Sequence, residues 1–178
     1  EVLEDASILS TGDITKRDVL TITLPLEGIG SPITALRLEA IPDDRLPARG
    51  PGRSFYEGRK GDFFLSELTA RVEGQPVRFS TATQSYGKIS IGSGGADAKN
   101  VFDGDGSTGW STAEREGEAH QLVLNLAEPL PPRGEIEVEL LFERHFAASL
   151  GRFRFSATAA TGEVRATSLP VELEVVLT

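Results

Sequence analysis

Between Asn100 and Trp110 the chain reads NVFDGDGSTGW, placing Asp103 and Asp105 two residues apart among Gly104, Gly106 and Gly109, with Ser107 and Thr108 close behind. Two carboxylates so near one another repel unless positive charge lies between them. The chemistry this composition suits is binding of a hard divalent cation. Calcium takes about six to eight oxygen ligands, and a glycine-rich turn can aim backbone carbonyls inward while acids supply the charge. An acidic Asx turn holding only water is the alternative. An EF-hand register also exists, with Asp103, Asp105, Ser107, Ser111 and Glu114 at its liganding positions. It fails at the obligatory glycine, where Thr108 stands, and its flanks read as strand rather than helix.

Other chemistry finds little to work with. The chain has no cysteine and two histidines, so thiol nucleophiles, disulfides and cysteine-ligated zinc are excluded and a histidine triad or metal site is not expected. No nucleophile elbow, phosphate loop or zinc signature occurs, and no pair of carboxylates is placed across a cleft by the sequence. We therefore expect a protein that is not an enzyme. The net charge of −9 argues against nucleic acid or an anionic membrane as partner. No apolar run approaches the roughly 20 residues needed to span a bilayer. The start EVLEDASILS lacks a basic segment followed by an apolar one, so an export signal, if used, would lie upstream or have been removed.

The elements that must position the turn read as strands. Apolar residues alternate with polar ones in VLTITLPL (Leu20, Ile22, Leu24), ITALRLEAI (Leu36, Leu38), QLVLNL (Leu122, Leu124, Leu126), EIEVELLF (Ile136, Val138, Leu140) and GRFRFSAT (Phe153, Phe155). With DFFLSELTARV and GKISIG this makes about eight strands and no convincing amphipathic helix. At 178 residues, a single domain is expected over 1–178, an antiparallel β-sandwich of jelly-roll type.

Two segments stand apart. From Pro42 to Gly61 proline and glycine forbid regular pairing, and this stretch holds Arg45, Arg49, Arg53, Arg59 and Lys60 with Phe55 and Tyr56 among them. Such a loop could grip an anionic sugar, or its arginines could pair with the domain's own carboxylates or face a neighbouring domain. The tail ATSLPVELEVVLT could begin a linker helix capped by Ser168, or alternate as a last strand through Val171, Leu173 and Val175.

The motif AKNVFDGDGSTGWST resembles the signature of galactose-binding-like domains, the group that includes discoidin and coagulation-factor C-type domains and related carbohydrate-binding modules. The resemblance implies a structural calcium ion held by the carbonyl of Asn100, the carboxylate of Asp103, the carbonyl of Asp105, and the hydroxyl and carbonyl of Thr108. It further implies a glutamate from a distant strand. FFLSELTAR offers Glu67, with the carbonyl of Ser66 beside it, in an order that reads as circularly permuted; PVELEVV offers Glu172 in the ordinary order. Glu67 is the better match, and the fork stays open. The resemblance also makes Trp110 a core residue beneath the turn, with stacking on a sugar as the alternative.

The segments EDASILSTG, ITALRLEAIPDDRLPARGPGR, FFLSELTA, FDGDGSTGW, LNLAEPL and LGRFRFSAT, in that order, resemble a domain of large exported planctomycete proteins that carry cytochrome c modules. This implies an extracellular or periplasmic location and a non-catalytic carbohydrate-binding module, with other domains of the same polypeptide as partners. A docking domain that binds no sugar is the other reading. The stretch SFYEGRKGD is longer and more charged than its counterpart in that group. Candidate sugar contacts are Arg53, Phe55 and Tyr56 in the long loop, the histidines His120 and His145, for each of which a surface or satisfied histidine is the plainer alternative, and Arg144, which the resemblance places with His145 at a loop tip.

Overall fold

The computed structural model describes residues 1–28, 30–92, 95–143 and 146–169. The chain is all-β, a sandwich of two antiparallel sheets. In chain order the strands are β1 (Ile8–Leu9), β2 (Arg17–Pro25), β3 (Ile33–Ala40), β4 (Glu67–Val72), β5 (Gln75–Pro76), β6 (Phe79–Gln84), β7 (His120–Leu130), β8 (Glu135–Glu143) and β9 (Arg152–Thr158). One sheet has the order β1-β9-β3-β7-β6 and the other β2-β8-β4-β5. Pro25, which has no amide hydrogen to give, ends β2 at a sheet edge, where a missing donor is tolerated.

Alternation along each strand makes one face of each sheet apolar, and register stacks those faces into rows. In the four-stranded sheet Leu20, Leu140 and Leu68 lie side by side, then Ile22, Val138 and Ala70, then Leu24, Ile136 and Val72. In the five-stranded sheet Leu38 sits between Leu122 and Phe155, and Leu36 between Leu124 and Ala157. The two faces close on one core that also takes in Phe63, Leu65, Val101 and Trp110. The glutamates of β8 point the other way, so Glu135, Glu137 and Glu139 are exposed.

Two local expectations differ. GKISIG forms no strand; Lys88 makes only an isolated bridge to Thr112. The sixth strand is the more polar FSTATQ, which pairs with β7. Its outward hydroxyls have partners: Thr83 Oγ1 accepts the Ala166 amide, from the segment after β9, at 2.8 Å, and Thr81 Oγ1 accepts from Asn125 on β7 at 3.1 Å. A strand whose outer face is hydrogen-bonded does not advertise itself by hydrophobicity.

The face assignment is testable on one strand. Leu140→Ala is expected to cost about 2–5 kcal/mol in urea denaturation. Its neighbour Glu139→Ala, on the exposed face, is expected to stay within about 0.5 kcal/mol.

Candidate metal site and the surrounding loops

The acidic turn comes after a 3-10 helix, Ala98–Phe102, whose Ala98 and Val101 are buried. Asp103 stands at its C-terminus and Gly104 turns the chain at φ +81°, a left-handed conformation that a side chain would strain. Asp103 Oδ1 accepts the Asp105 amide at 2.8 Å, and Oδ2 lies 2.8 Å from the Thr108 hydroxyl. Asp105 Oδ1 accepts from the amide and hydroxyl of Ser107 at 3.0 and 2.7 Å. The Asp105 carbonyl accepts the Thr108 amide at 2.9 Å. The carboxylate of Asp105 is thus committed within the turn, and its carboxyl is held below the usual range by Ser107.

Trp110, at the far end of the turn, fixes where it sits. The side chain is fully buried, meets Phe63 edge-to-face at 5.0 Å, and donates its indole N–H to the Tyr86 carbonyl at 2.9 Å. Trp110 and Leu65 exchange both backbone hydrogen bonds at 2.9 Å. That pairing needs Gly109, because a Cβ there would stand 2.2 Å from the Leu65 carbonyl oxygen. Two residues beyond Leu65, β4 begins with Glu67.

The turn and Glu67 therefore meet. Glu67 Oε1 is buried and has no hydrogen-bond partner. Burial, and after it the negative charge of Asp103, pushes the Glu67 carboxyl up to about 7, while the amides of Gly104 and Asp105 act in the opposite direction. Ser66, fully buried, has its hydroxyl engaged by Glu143, donating to the carbonyl and accepting from the amide, both at 3.0 Å. Asn100 lies in the 3-10 helix, its side-chain amide donating to the Gly95 carbonyl at 3.1 Å. Among the described residues no group of three or more His, Asp or Glu side chains is placed to hold a metal ion. A cation here would have two carboxylates, Asp103 and Glu67, and otherwise carbonyl and hydroxyl oxygens. Glu172 lies outside the described residues.

Neighbouring loops also carry charge. Arg45 makes a two-pronged contact with Asp43 at 2.7 and 2.8 Å, Arg49 lies 3.4 Å from Asp44, and Arg59 lies 2.5 Å from Glu116. Arg53 donates to the Gly12 carbonyl. Phe55 and Tyr56 are exposed and meet edge-to-face at 4.7 Å, with the Lys60 ammonium 4.9 Å from the Phe55 ring centre. His120, expected among the sugar contacts, is in the interior: it is 6% exposed, with Nδ1 3.3 Å from Ser85 Oγ and its ring 5.2 Å from Tyr86. Burial lowers its pKa. Arg144 and His145 lie outside the described residues.

Three residues not singled out in the sequence belong to this end of the molecule. Glu143 ends β8 beside Ser66 and near Gly106, and Arg17 holds its carboxylate at 2.5 Å. Glu116 occupies Arg59. Asp62 is 2% exposed, accepts from Ser111 Oγ at 2.9 Å and the Phe63 amide at 2.8 Å, and is pushed up to about 6 by burial. Only the alternation of β8 hints at Glu143; the others have no signal in local sequence. On the outer face of the five-stranded sheet a groove of about 560 Å³ is lined by Ala35, Arg37, Val123, Ser156, Val164 and Leu169 among others. No helix among the described residues is long and apolar enough to cross a membrane.

Compared with models of protein families, with curated proteins and with solved structures, the chain matches none.

This geometry makes two outcomes expected. Gly109→Ala forces Leu65 and Trp110 apart and is expected to cost about 1–3 kcal/mol or more in urea denaturation. Glu67 holds a proton in the folded state that the unfolded chain releases near its ordinary value of 4.5. Stability must then fall as pH rises from that value to about 7, and level off above it. Asp62 adds a fall of the same sign, and His120, depressed by burial, one of opposite sign below its ordinary 6.5. The difference between wild type and Glu67→Gln cancels both. Without divalent cation, that difference should move against wild type across the window; parallel curves would show that the Glu67 carboxyl is not perturbed.

Proposed function

We propose that the chain is a galactose-binding-like jelly-roll, circularly permuted, serving as a non-catalytic carbohydrate-binding module of an exported protein, with one structural calcium ion. The observation that carries this reading is the meeting of Asp103 with Glu67, whose buried Oε1 lacks a donor. Two acids pressed together, one with an unsatisfied oxygen, suit a cation better than they suit each other. The donor set fits calcium: carboxylates of Asp103 and Glu67, carbonyls of Asn100, Asp105 and Ser66, and the hydroxyl and carbonyl of Thr108. It does not suit a metal that prefers nitrogen or sulfur. The commitment of the Asp105 carboxylate to Ser107 agrees with that residue's contributing its carbonyl. When bound, the ion supplies the positive charge this pair lacks and ties the turn to the start of β4.

The choice of Glu67 over Glu172 rests on the same contact. Sugar binding is supported by the resemblance together with the exposed aromatics of the neighbouring loop, Phe55 and Tyr56. A second reading, a docking domain for other domains of the same polypeptide, is favoured by the apolar groove over β3, β7 and β9. The two separate on a glycan array, where a docking domain binds nothing.

Thermal unfolding with calcium and with chelator tests the site. Calcium should raise the wild-type midpoint, with a stabilisation of about 2.7 kcal/mol at a hundredfold excess over the dissociation constant. Asp103→Ala and Glu67→Ala should each abolish that response, and Glu172→Ala should keep it. A wild-type midpoint indifferent to chelator, after bound calcium has been stripped, would remove the metal from the reading.

A further inference from the structure

The hairpin that carries Phe55 and Tyr56 is firmly seated, yet its tip is apolar and in water. At its base Gly52 donates to the Gly61 carbonyl at 2.9 Å, and Gly61 to the Ser54 carbonyl at 2.8 Å. Within it the Ser54 hydroxyl donates to the Glu57 carbonyl at 2.8 Å. Beneath it Phe146, 2% exposed, packs with Phe64 and Ala148, close enough that a Cβ on Gly58 would stand 2.8 Å from its ring. An apolar foot is thus at hand, but the two tip aromatics do not use it: Phe55 is 44% exposed and Tyr56 91%. Folding gains little from a tyrosine left in water, whereas a rigid aromatic surface is what a partner binds.

The charge around the tip narrows the partner. Of the five basic residues between Pro42 and Gly61, Arg45, Arg49 and Arg59 are held by Asp43, Asp44 and Glu116, and Arg53 by the Gly12 carbonyl. Lys60 makes no ion pair with a described carboxylate and no hydrogen bond of the kind that holds Arg53; its ammonium lies over Phe55. The one acid in the hairpin, Glu57, has Lys16 at 3.9 Å. An uncommitted ammonium over one ring, with a second ring at right angles beside it, matches a sugar that stacks its C–H face and carries an anionic group.

We propose that Phe55, Tyr56 and Lys60 form the sugar-gripping tip of the module and that its ligand is an anionic polysaccharide, bearing carboxylate or sulfate. This rests on the carbohydrate reading of the chain and adds to it the place and the class of sugar. His120, in the interior, is no part of it.

The test is biolayer interferometry in saturating calcium on three immobilised glycans: hyaluronan, which carries only carboxylate, chondroitin sulfate, which carries both groups, and neutral galactan. Wild type should bind one or both acidic glycans and galactan at least about ten-fold more weakly, a gap that added salt narrows. Tyr56→Ala and Lys60→Gln should each weaken acidic-glycan binding about ten-fold or more with the thermal midpoint unchanged, since neither side chain is in the core. Hyaluronan binding assigns carboxylate; chondroitin sulfate binding without hyaluronan binding assigns sulfate. Glycan binding untouched by either substitution overturns the hairpin and leaves the module. Equal binding to galactan overturns the anionic class. Binding to none of the three overturns the proposal, and a calcium-dependent midpoint in the same sample shows that the metal site is independent of it.

Discussion

The backbone pairing of Leu65 with Trp110 is the contact on which this end of the sandwich depends. It joins segments far apart in sequence, and it works only because Gly109 lets two backbones approach where a Cβ would stand 2.2 Å from a carbonyl oxygen. Once it forms, Trp110 is delivered to the core against Phe63, and the turn just before it is delivered to the start of β4. The meeting of Asp103 and Glu67 is a consequence of that geometry rather than of any attraction between two acids. Packing supplies the free energy, and the electrostatic conflict between the two acids is carried along with it.

The same residue types behave in opposite ways elsewhere on the molecule. Asp5 is held down to about 2 by hydrogen bonds from Ser7, with Arg152 adding to them, and Asp43 is held well below the usual range by Arg45. Glu39 accepts two hydrogen bonds from Arg154, at 2.8 and 3.1 Å. These arginines tie the N-terminal segment, the start of the long loop and β9 together on the outer face of the five-stranded sheet. The Glu67 carboxyl is moved up instead of down, by burial first and then by the charge of Asp103, against the pull of the Gly104 and Asp105 amides. In an acidic domain where arginine meets so many carboxylates, Asp103 and Glu67 meet without one. The basic loop shows the converse: most of its arginines are consumed internally, and Lys60 is left over.

Much of the fold was legible because alternation is a local property. Leu20, Ile22 and Leu24, or Ile136, Val138 and Leu140, declare a buried face from their spacing alone, and the sheets use those faces as read. Alternation failed at GKISIG, where apolar residues at every second position form no strand, and at FSTATQ, where a strand is made by pairing with β7 and by hydroxyls bonded to Asn125 and to the segment after β9. The turn was legible too, since Asp103, Asp105 and Thr108 sit within a few residues of one another. His120 was a candidate sugar contact beside the plainer reading of a surface or satisfied histidine, because a lone histidine carries no mark of depth; its register opposite Ala40 buries it.

By itself the sequence determined the all-β character, the acidic surface, the absence of cysteine chemistry and a turn rich in oxygen donors, because each is a matter of composition or of residues near in the chain. Only the tertiary structure decided that Glu67 stands against Asp103 with an orphaned oxygen, that Glu143 and Asp62 belong to the same end, and that Arg45, Arg49 and Arg59 pair with carboxylates while Lys60 lies over Phe55. Each of these depends on which distant segments become neighbours, and that is set by the register of long-range pairings and the close approach at Gly109. No local pattern encodes either.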